Sequence, residues 1–291
     1  MKKISTINEF RKWRKNISGS IGFVPTMGAL HEGHLSLVSK SNNICENTIV
    51  SIYINPTQFA EGEDLDTYPK KVQADLEKLS NYKVDCVFLP DNSEIYPEGI
   101  NVGNYDNNLF GLLEGKSRPG FFKGVTTVVA KLFDIVEPTH AFFGKKDFQQ
   151  FCIIKNMVEE LNYPIQVVPC PVIREENGLA MSSRNKYLTE NEFSVAATIF
   201  KALESGKKLL KDGEINVEKL KREITRIIKR EPQFMIDYVS VASVDPLEEF
   251  EGELSGDILV SVAVFLGKTR LIDNFTYSVS CLLYTSDAAD E

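Results

Sequence analysis

Several signatures of nucleotide and nucleic-acid binding are missing from this chain of 291 residues. It has no G-x-x-x-x-G-K-S/T phosphate loop and no G-x-G, which excludes both the P-loop and the dinucleotide-binding fingerprint. Basic residues are in the minority, because 33 Lys and Arg stand against 41 Asp and Glu and give a net charge of −8. The lack of an overall positive field disfavours non-specific nucleic-acid binding. Any site for an anionic ligand must therefore be built locally from a few cations.

Cysteine and long apolar runs are also scarce. The five cysteines include no C-x-x-C pair and their number is odd, so they do not make a disulfide framework. Charged residues recur from Lys2 to Lys15, which leaves no apolar core for a signal peptide, and no stretch approaches a membrane span. We therefore expect a cytoplasmic protein that has neither a membrane nor a nucleic acid as its partner.

The spacing of apolar residues predicts two architectures along the chain. In the first half, short β-rich runs alternate with helical stretches, which is typical of an α/β fold with a parallel, Rossmann-like sheet. After about residue 184, amphipathic helices precede strand-like runs, which predicts a smaller α+β domain. The predicted strands are 21–24, 48–54, 85–89, 139–143, 165–168, 236–241, 257–264 and 269–272. The predicted helices are 34–43, 72–79, 125–136, 148–161, 189–210 and 217–230.

The last eleven residues, 281–291, read CLLYTSDAADE. They back-translate without a stop codon as a sequence that resembles the transposon-end adapter used in sequencing libraries. We therefore interpret residues 281–291 as an adapter-derived tail and exclude them from the prediction of the fold.

The most informative segment is PTMGALHEGH, residues 25–34, which follows the apolar run 21–24. A buried strand, a glycine-containing turn and a helix in this order commonly present backbone N–H groups to an anion. His31 and His34 are two of the chain's three histidines, and their spacing places both rings on one side of a helix start. This pattern favours contact with a phosphate chain. A zinc half-site and a pair of structural histidines are the alternatives, although Leu35 breaks the H-E-x-x-H zinc motif.

A second cluster, FFGKKDFQQ at residues 142–150, also follows a predicted strand and opens a predicted helix. In an open α/β sheet, ligands bind beyond the carboxyl ends of the strands. A lysine at this position neutralises phosphate as a point charge, and the neighbouring Asp147 can bond a ribose hydroxyl. A solvated Lys-Lys-Asp turn is the alternative if the motif stands alone.

Two more clusters complete the pattern. In GLAMSSRN, residues 178–185, two hydroxyls and an arginine offer donors for a triphosphate, although helix caps have the same composition. In NPTQF, residues 55–59, Asn55 and Gln58 suit a neutral, hydrogen-bonded substrate, although an ordinary proline turn looks alike. Together with the first two clusters, they indicate ATP and a polar small molecule as ligands.

These segments closely resemble the pantothenate synthetase family, and the resemblance extends to about residue 274. It rests on PTMGALHEGH, NPTQFAEGEDLDTYP, RPGFFKGVTTVVAKLF, FFGKKDFQQ and GLAMSSRN, in this order. The resemblance implies a Rossmann-like fold of the nucleotidylyltransferase type, with an HxGH motif and a KMSKS-like loop. It also implies a homodimeric, AMP-forming ligase that condenses (R)-pantoate with β-alanine through a pantoyl adenylate and uses ATP and Mg²⁺.

The resemblance further implies which residues form the site. Those that would bind ATP are Met27, Gly28, Ala29, Leu30, His31, Glu32, Gly33, His34, Gly144, Lys145, Lys146, Asp147, Ile173, Met181, Ser182, Ser183 and Arg184. The catalytic residues among them would be His34, His31, Lys146 and Arg184, with His34 in the family's proton-donor position. Pantoate and β-alanine would contact Gln58, Gln150, Asn55 and Arg118, and Mg²⁺ would contact Asp75. Residues 1–173 would bind ATP and pantoate, and residues 174–280 would form a lid.

Two departures and two rival interpretations accompany the resemblance. Phe121 stands where many relatives have histidine, and Lys145 replaces an acidic or neutral residue. A nucleotidylyltransferase of the same fold is the nearest rival, but a phosphomonoester substrate would want more Arg or Lys than the amide-lined pocket offers. A non-catalytic nucleotide sensor is the second rival, and it could not release pyrophosphate.

Overall fold

The computed structural model describes residues 1–279. They divide into two compact units, the first spanning Met1–Leu188 and the second starting at Thr189. The sequence-based boundary between residues 173 and 174, and the lid role of residues 174–280, stay predictions. The predicted adapter-derived tail, 281–291, lies outside the described residues. Among residues 1–279, no helix has both the length and the apolar character needed to cross a membrane.

A six-stranded sheet forms the centre of the first unit. All its pairings are parallel, and its strand order is β1-β4-β3-β2-β5-β6. The strands are β1 (Lys2–Ile4), β2 (Ile21–Thr26), β3 (Asn47–Ile52), β4 (Cys86–Phe88), β5 (His140–Gly144) and β6 (Gln166–Cys170). The predicted Rossmann-like fold is confirmed. The short edge strand β1 was not predicted.

Helices cover both faces of this sheet because successive side chains of a strand point to opposite faces. On β2, Phe23 packs in one hydrophobic cluster and Val24 in another, and both are completely buried. The helices of the first unit are α1 (Ile7–Arg14), α2 (Glu32–Ile44), α3 (Val72–Leu79), α4 (Asn92–Ile95), α5 (Leu113–Ser117), α6 (Phe121–Val136) and α7 (Phe148–Glu160). The cluster of Phe23 includes side chains of α1, α6 and α7, and that of Val24 includes side chains of α2 and α3.

Helix α6 confirms that the β-branched run 125–136 is helical, and it begins four residues earlier than predicted. Its Gly124 lies against a short 3₁₀ turn, Pro56–Gln58. A Cβ on Gly124 would lie only 2.2 Å from the carbonyl oxygen of Thr57, so only glycine permits this close approach. The approach brings α6 against the turn that carries Gln58.

The second unit places two helices before an antiparallel sheet of order β7-β8-β9, as predicted. Its elements are α8 (Glu190–Lys211), α9 (Val217–Ile228), β7 (Phe234–Ser243), β8 (Gly256–Leu266) and β9 (Thr269–Val279). Helices α8 and α9 meet at Gly206, where an added Cβ would lie 2.9 Å from the side chain of Ile224. The last strand is longer than the predicted 269–272, since its pairing with β8 continues to Val279.

Candidate functional site

The strand order defines where a ligand is expected in the first unit. From β2 the chain builds one side of the sheet through β3 and β4, and later builds the other side with β5 and β6. The switch point lies between β2 and β5, and open α/β sheets bind ligands in the crevice beyond the carboxyl ends of such strands. Segment 27–34 follows β2 and segment 145–150 follows β5. Topology therefore brings the first two predicted clusters to one place.

His31 and His34 lie side by side at the start of α2. His31 is the N-cap residue, and its Nδ1 accepts a hydrogen bond of 3.1 Å from the backbone N–H of Gly33. The Nδ1 of His34 accepts from the backbone N–H of His31 at 3.4 Å, and the ring centroids are 4.0 Å apart. Since both Nδ1 atoms accept, the proton of each neutral ring is assigned to Nε2. The pair therefore offers two Nε2–H donors.

Both rings are held in the neutral form. Burial is the main cause, and it lowers the pKa of His31 to about 2 and that of His34 to about 4. Positive charge on Lys146, Lys78 and Lys186 lowers both values further, and His34 does the same to His31. Near neutral pH the two rings are therefore uncharged hydrogen-bond donors, and the three lysines supply positive charge near them.

Asp75 holds the turn that precedes His31. Its carboxylate is 1% exposed and accepts hydrogen bonds of 2.8 Å from the backbone N–H groups of both Ala29 and Leu30. The side chains of Ala29 and Leu30 are each 1% exposed, so they face the core. Asp75 therefore binds two backbone N–H groups of the turn that the sequence analysis predicted to contact phosphate. Its predicted Mg²⁺ contact stays a prediction.

The KMSKS-like loop meets the same turn. The hydroxyl of Ser183 donates to the carbonyl oxygen of Ala29 at 3.2 Å, and the Oγ of Ser182 accepts from the backbone N–H of Arg184 at 3.3 Å. The backbone N–H of Met181 donates to the carbonyl of Ile173 at 2.9 Å, which ties the predicted adenine neighbour to this loop. The third predicted cluster therefore lies beside the first.

The loop between β5 and α7 contributes the second cluster as a short 3₁₀ turn, Lys145–Asp147. Lys146 lies 3.4 Å from the carboxylate of Asp147, and its charge reaches both histidines. An added Cβ on Gly144 would meet nothing within 4 Å, so this backbone is open to a ligand. Segments that are separated by more than a hundred residues thus converge on the histidine pair.

Two arginines of the predicted site are bound by consecutive acidic residues. Glu63 accepts two hydrogen bonds of 2.6 Å from Arg118, and Asp64 accepts two, at 2.8 and 3.1 Å, from Arg184. The guanidinium of Arg118 also lies over the ring of Phe121, 3.7 Å from its centroid. Phe121 therefore supports Arg118 by a cation–π contact.

The amides of the predicted substrate pocket are oriented by hydrogen bonds. Asn55 is 1% exposed, and its Oδ1 accepts from the hydroxyl of Tyr96 at 2.8 Å. Its Nδ2 donates to the Oε1 of Gln58 at 3.2 Å and to the carbonyl of Gly124 at 3.1 Å. The Nε2 of Gln58 then points to the sulfur of Met27, 3.0 Å away. Asn55 therefore sets which end of the Gln58 amide faces the first cluster.

Gln150 and its neighbour Gln149 have different environments on α7. Gln150 is half-buried, whereas Gln149 is buried and binds only backbone. The Oε1 of Gln149 accepts from the N–H of Glu114 at 3.0 Å, and its Nε2 donates to the carbonyls of Leu109 and Leu112. Gln149 thus secures the loop before α6 and leaves Gln150 as the amide open to a substrate.

Sequence reasoning missed three residues near the site: Lys78, Tyr96 and Gln149. Only Lys78 had a usable signal, because it lies three positions after Asp75 on a predicted helix and so faces the same way. The partners of Tyr96 and Gln149 are distant in sequence, which no local pattern reveals. Among residues 1–279, no group of three or more His, Cys, Asp or Glu is arranged so that it could hold a metal ion.

Comparison with known proteins gives the family. A family model described as pantoate-beta-alanine ligase matches residues 2–276. The chain belongs to this family. The pantothenate synthetase of Acetivibrio thermocellus is 46% identical over 282 residues, covering 96% of this chain and 100% of the relative. That of Thermodesulfovibrio yellowstonii is 49% identical over 256 residues, covering 88% of this chain and 91% of the relative.

Solved structures of family members have the same fold. The pantothenate synthetase of Thermus thermophilus matches with a TM-score of 0.89 and 38% identity, over 94% of this chain and 99% of that one. The pantoate-beta-alanine ligase of Francisella tularensis, in complex with beta-gamma ATP and beta-alanine, matches with a TM-score of 0.78 and 36% identity, over 94% and 97%. The predicted activity, an amide-forming ligation of pantoate and β-alanine, is confirmed through this family membership.

Proposed function

We propose that this chain makes pantothenate from (R)-pantoate, β-alanine and ATP in two steps, in the crevice beyond the carboxyl ends of β2 and β5. The observation that carries the proposal is the convergence of three segments, 27–34, 144–147 and 181–184, around the His31–His34 pair. The complex of the Francisella tularensis relative with an ATP compound and beta-alanine supports the same ligands for this chain.

In the first step, a carboxylate oxygen of pantoate attacks the α-phosphorus of ATP. A new P–O bond forms, the bond to the β-phosphate oxygen breaks, and pyrophosphate leaves with the bonding electrons. The protein need not supply a nucleophile, so its task is to align the reactants and to neutralise the charge that grows on the leaving group. Lys146 and Arg184 supply positive charge, and the neutral His31 and His34 donate Nε2–H bonds.

In the second step, the uncharged amine of β-alanine attacks the carbonyl carbon of pantoyl adenylate. A C–N bond forms, the C–O bond to AMP breaks, and the nitrogen loses a proton. We assign Gln58, Gln150, Asn55 and Arg118 to pantoate and β-alanine. The hydrogen bonds that orient Asn55 and Gln58 support this assignment, because a preset amide recognises hydroxyl and carboxylate groups without reorganising.

The remaining ATP contacts lie along the same crevice. We assign Met27 to His34 to the nucleotide, Gly144 to Asp147 to ribose and phosphate, Ile173 to adenine, and Met181 to Arg184 to the triphosphate. The hydrogen bonds from Ser183 to Ala29 and from Met181 to Ile173 support a single continuous surface. The homodimer and the cytoplasmic location rest on the family resemblance and on composition alone.

Mg²⁺ enters this proposal as part of the substrate. Among residues 1–279 no cluster of candidate ligands could hold a metal ion, and both oxygens of Asp75 already bind backbone N–H groups. Mg²⁺ commonly binds through substrate phosphates and keeps several waters. We therefore expect the phosphate oxygens of ATP to bring Mg²⁺ into the site.

The test of the first step is exchange of labelled pyrophosphate into ATP. The proposal expects exchange that requires (R)-pantoate and Mg²⁺ and proceeds without β-alanine, because the adenylate forms reversibly. Exchange in the absence of pantoate would contradict the proposal, and so would a lack of exchange when ATP, (R)-pantoate and Mg²⁺ are all present. Replacing pantoate by a phosphomonoester tests the same-fold nucleotidylyltransferase, which would exchange with that substrate instead.

A further inference from the structure

Two residues of α3, one helical turn apart, hold the backbone before His31 from two sides. The carboxylate oxygens of Asp75 accept from the N–H groups of Ala29 and Leu30, each at 2.8 Å. The ammonium group of Lys78 donates to the carbonyl oxygen of Leu30 at 2.5 Å. Residues three positions apart on a helix face the same way, which lets both side chains reach one loop.

The loop needs such support because its backbone is in an unfavourable conformation. Gly28 has φ +81° and Ala29 has φ +51°, so two consecutive residues are left-handed. The left-handed conformation of an alanine costs about 1 kcal/mol relative to the right-handed one, so contacts with the surrounding structure must offset this cost. Asp75 does so with two charge-assisted hydrogen bonds in a buried setting. The carboxylate of Asp75 thus occupies the position in which an anion would bind to these two N–H groups.

We infer that Asp75 and Lys78 are positioning residues for adenylate formation. By fixing residues 28–30 they fix the start of α2, and with it the Nε2–H donors of His31 and His34. This inference rests on the proposed function, in which those donors face the ATP phosphates. It gives Asp75 a role that needs no metal, since both of its oxygens are used by the loop.

Asp75→Asn is the decisive substitution. Asparagine offers one acceptor and one NH₂ group, so one loop N–H loses its partner and meets a donor. We expect the rate constant of adenylate formation to fall about 100-fold, as for a displacement of about 1 Å, while the KM for pantoate stays unchanged. The Mg²⁺ concentration that gives half the maximal rate should also stay unchanged. A wild-type rate, or a loss that added Mg²⁺ restores, would overturn the inference.

Glu77→Gln is the matched control, because Glu77 lies exposed on the same helix and bonds only Gln73 through its side chain. It makes the same change of charge without touching the loop, and its rate should equal that of the wild type. If Asp75→Asn does not fold, Lys78→Met removes the other half of the support and leaves the carboxylate bonds in place. The same selective loss of rate is then expected, and an unchanged rate would overturn the inference.

A readout independent of activity is the NMR spectrum of the three histidine rings. Asp75→Asn should move the ring nitrogen signals of His31 and His34 and leave those of His140, on β5, in place. Unmoved His31 and His34 signals would overturn the inference even if the rate fell. If the wild type fails to exchange pyrophosphate, the proposed function fails, whereas these signals still decide whether Asp75 positions the histidines.

Discussion

The carboxylate of Asp64 binds the guanidinium of Arg184 through two hydrogen bonds, at 2.8 and 3.1 Å. The hydroxyl of Tyr187 donates to the same carboxylate at 3.2 Å. Burial alone would raise the pKa of Asp64, but the bonds and charge of Arg184 outweigh it and lower that pKa. Asp64 is therefore ionised near neutral pH, and it occupies the donors that we propose for the triphosphate.

An incoming triphosphate must compete with Asp64 for Arg184. Asp64→Asn removes the competing charge, so we expect the KM for ATP to fall about fivefold, which corresponds to about 1 kcal/mol for a partly exposed ion pair. Asp66→Asn, an exposed neighbour in the same loop, is the control and should leave this KM unchanged. A higher KM for ATP in Asp64→Asn would show that Asp64 orients Arg184 instead.

His34 and Lys146 are expected to act on the chemical step. His34→Ala and Lys146→Ala should each lower the rate of adenylate formation by about 10²–10³-fold, the usual loss for an aligned charge-stabilising group. Single-turnover release of pyrophosphate measures this directly. Lys155→Ala on α7, where Lys155 pairs with Glu159 away from the histidines, should be unaffected. Near wild-type turnover in either folded variant would refute the role of that residue.

Substitutions of the adjacent residues Gln149 and Gln150 should affect different properties, stability for Gln149 and substrate binding for Gln150. Gln150→Ala should raise the KM for pantoate and leave that for ATP unchanged, because we assign Gln150 to pantoate. Gln149→Ala removes three hydrogen bonds between this side chain and the backbone, and it should lower the free energy of unfolding by about 2 kcal/mol. If Gln150→Ala raised the KM for pantoate and the KM for ATP equally, the assignment of Gln150 to pantoate would be contradicted.

The half-buried histidine pair predicts a pH dependence of stability. In the unfolded chain each histidine gains a proton as the pH falls through about 6.5. The folded protein resists this, since the pKa is about 2 for His31 and about 4 for His34. The unfolded state then binds more protons, so the free energy of unfolding is highest above pH 6.5 and falls as the pH drops toward 4.

Urea unfolding of the wild type and of His34→Gln at a series of pH values measures this contribution. The decline between pH 6.5 and 4 should be smaller in the variant, because glutamine does not titrate. An NMR titration in which His34 becomes protonated near pH 6.5 would contradict the account.

The fold was largely predictable from the sequence because its signals are local. Helix 72–79 was predicted with its observed bounds, and the β-branched helix 125–136 was recognised from its length and spacing. The prediction of β9 stopped at residue 272, before two polar residues, Asp273 and Asn274, which the structure buries within the strand. Pairing with β8 overrides that local signal.

The site was predictable as motifs but not as contacts. The two histidines are neighbours on one helix, so their side-by-side rings follow from spacing. The bond from Ala29 to Asp75 spans 46 positions and that from Arg184 to Asp64 spans 120, and only the folded chain brings such pairs together. The hydrogen bonds that Asp75 accepts from Ala29 and Leu30 were therefore not predicted, and its Mg²⁺ contact stays a prediction.

AMP formation from ATP, Mg²⁺ and (R)-pantoate, measured with and without β-alanine, tests the central claim most directly. The account predicts steady AMP turnover only when pantoate and β-alanine are both present, with one pantothenate formed for each AMP. Pyrophosphate release that β-alanine does not affect would leave the first step standing and contradict the amine acceptor. A folded protein that forms no AMP with all substrates present would contradict the account as a whole.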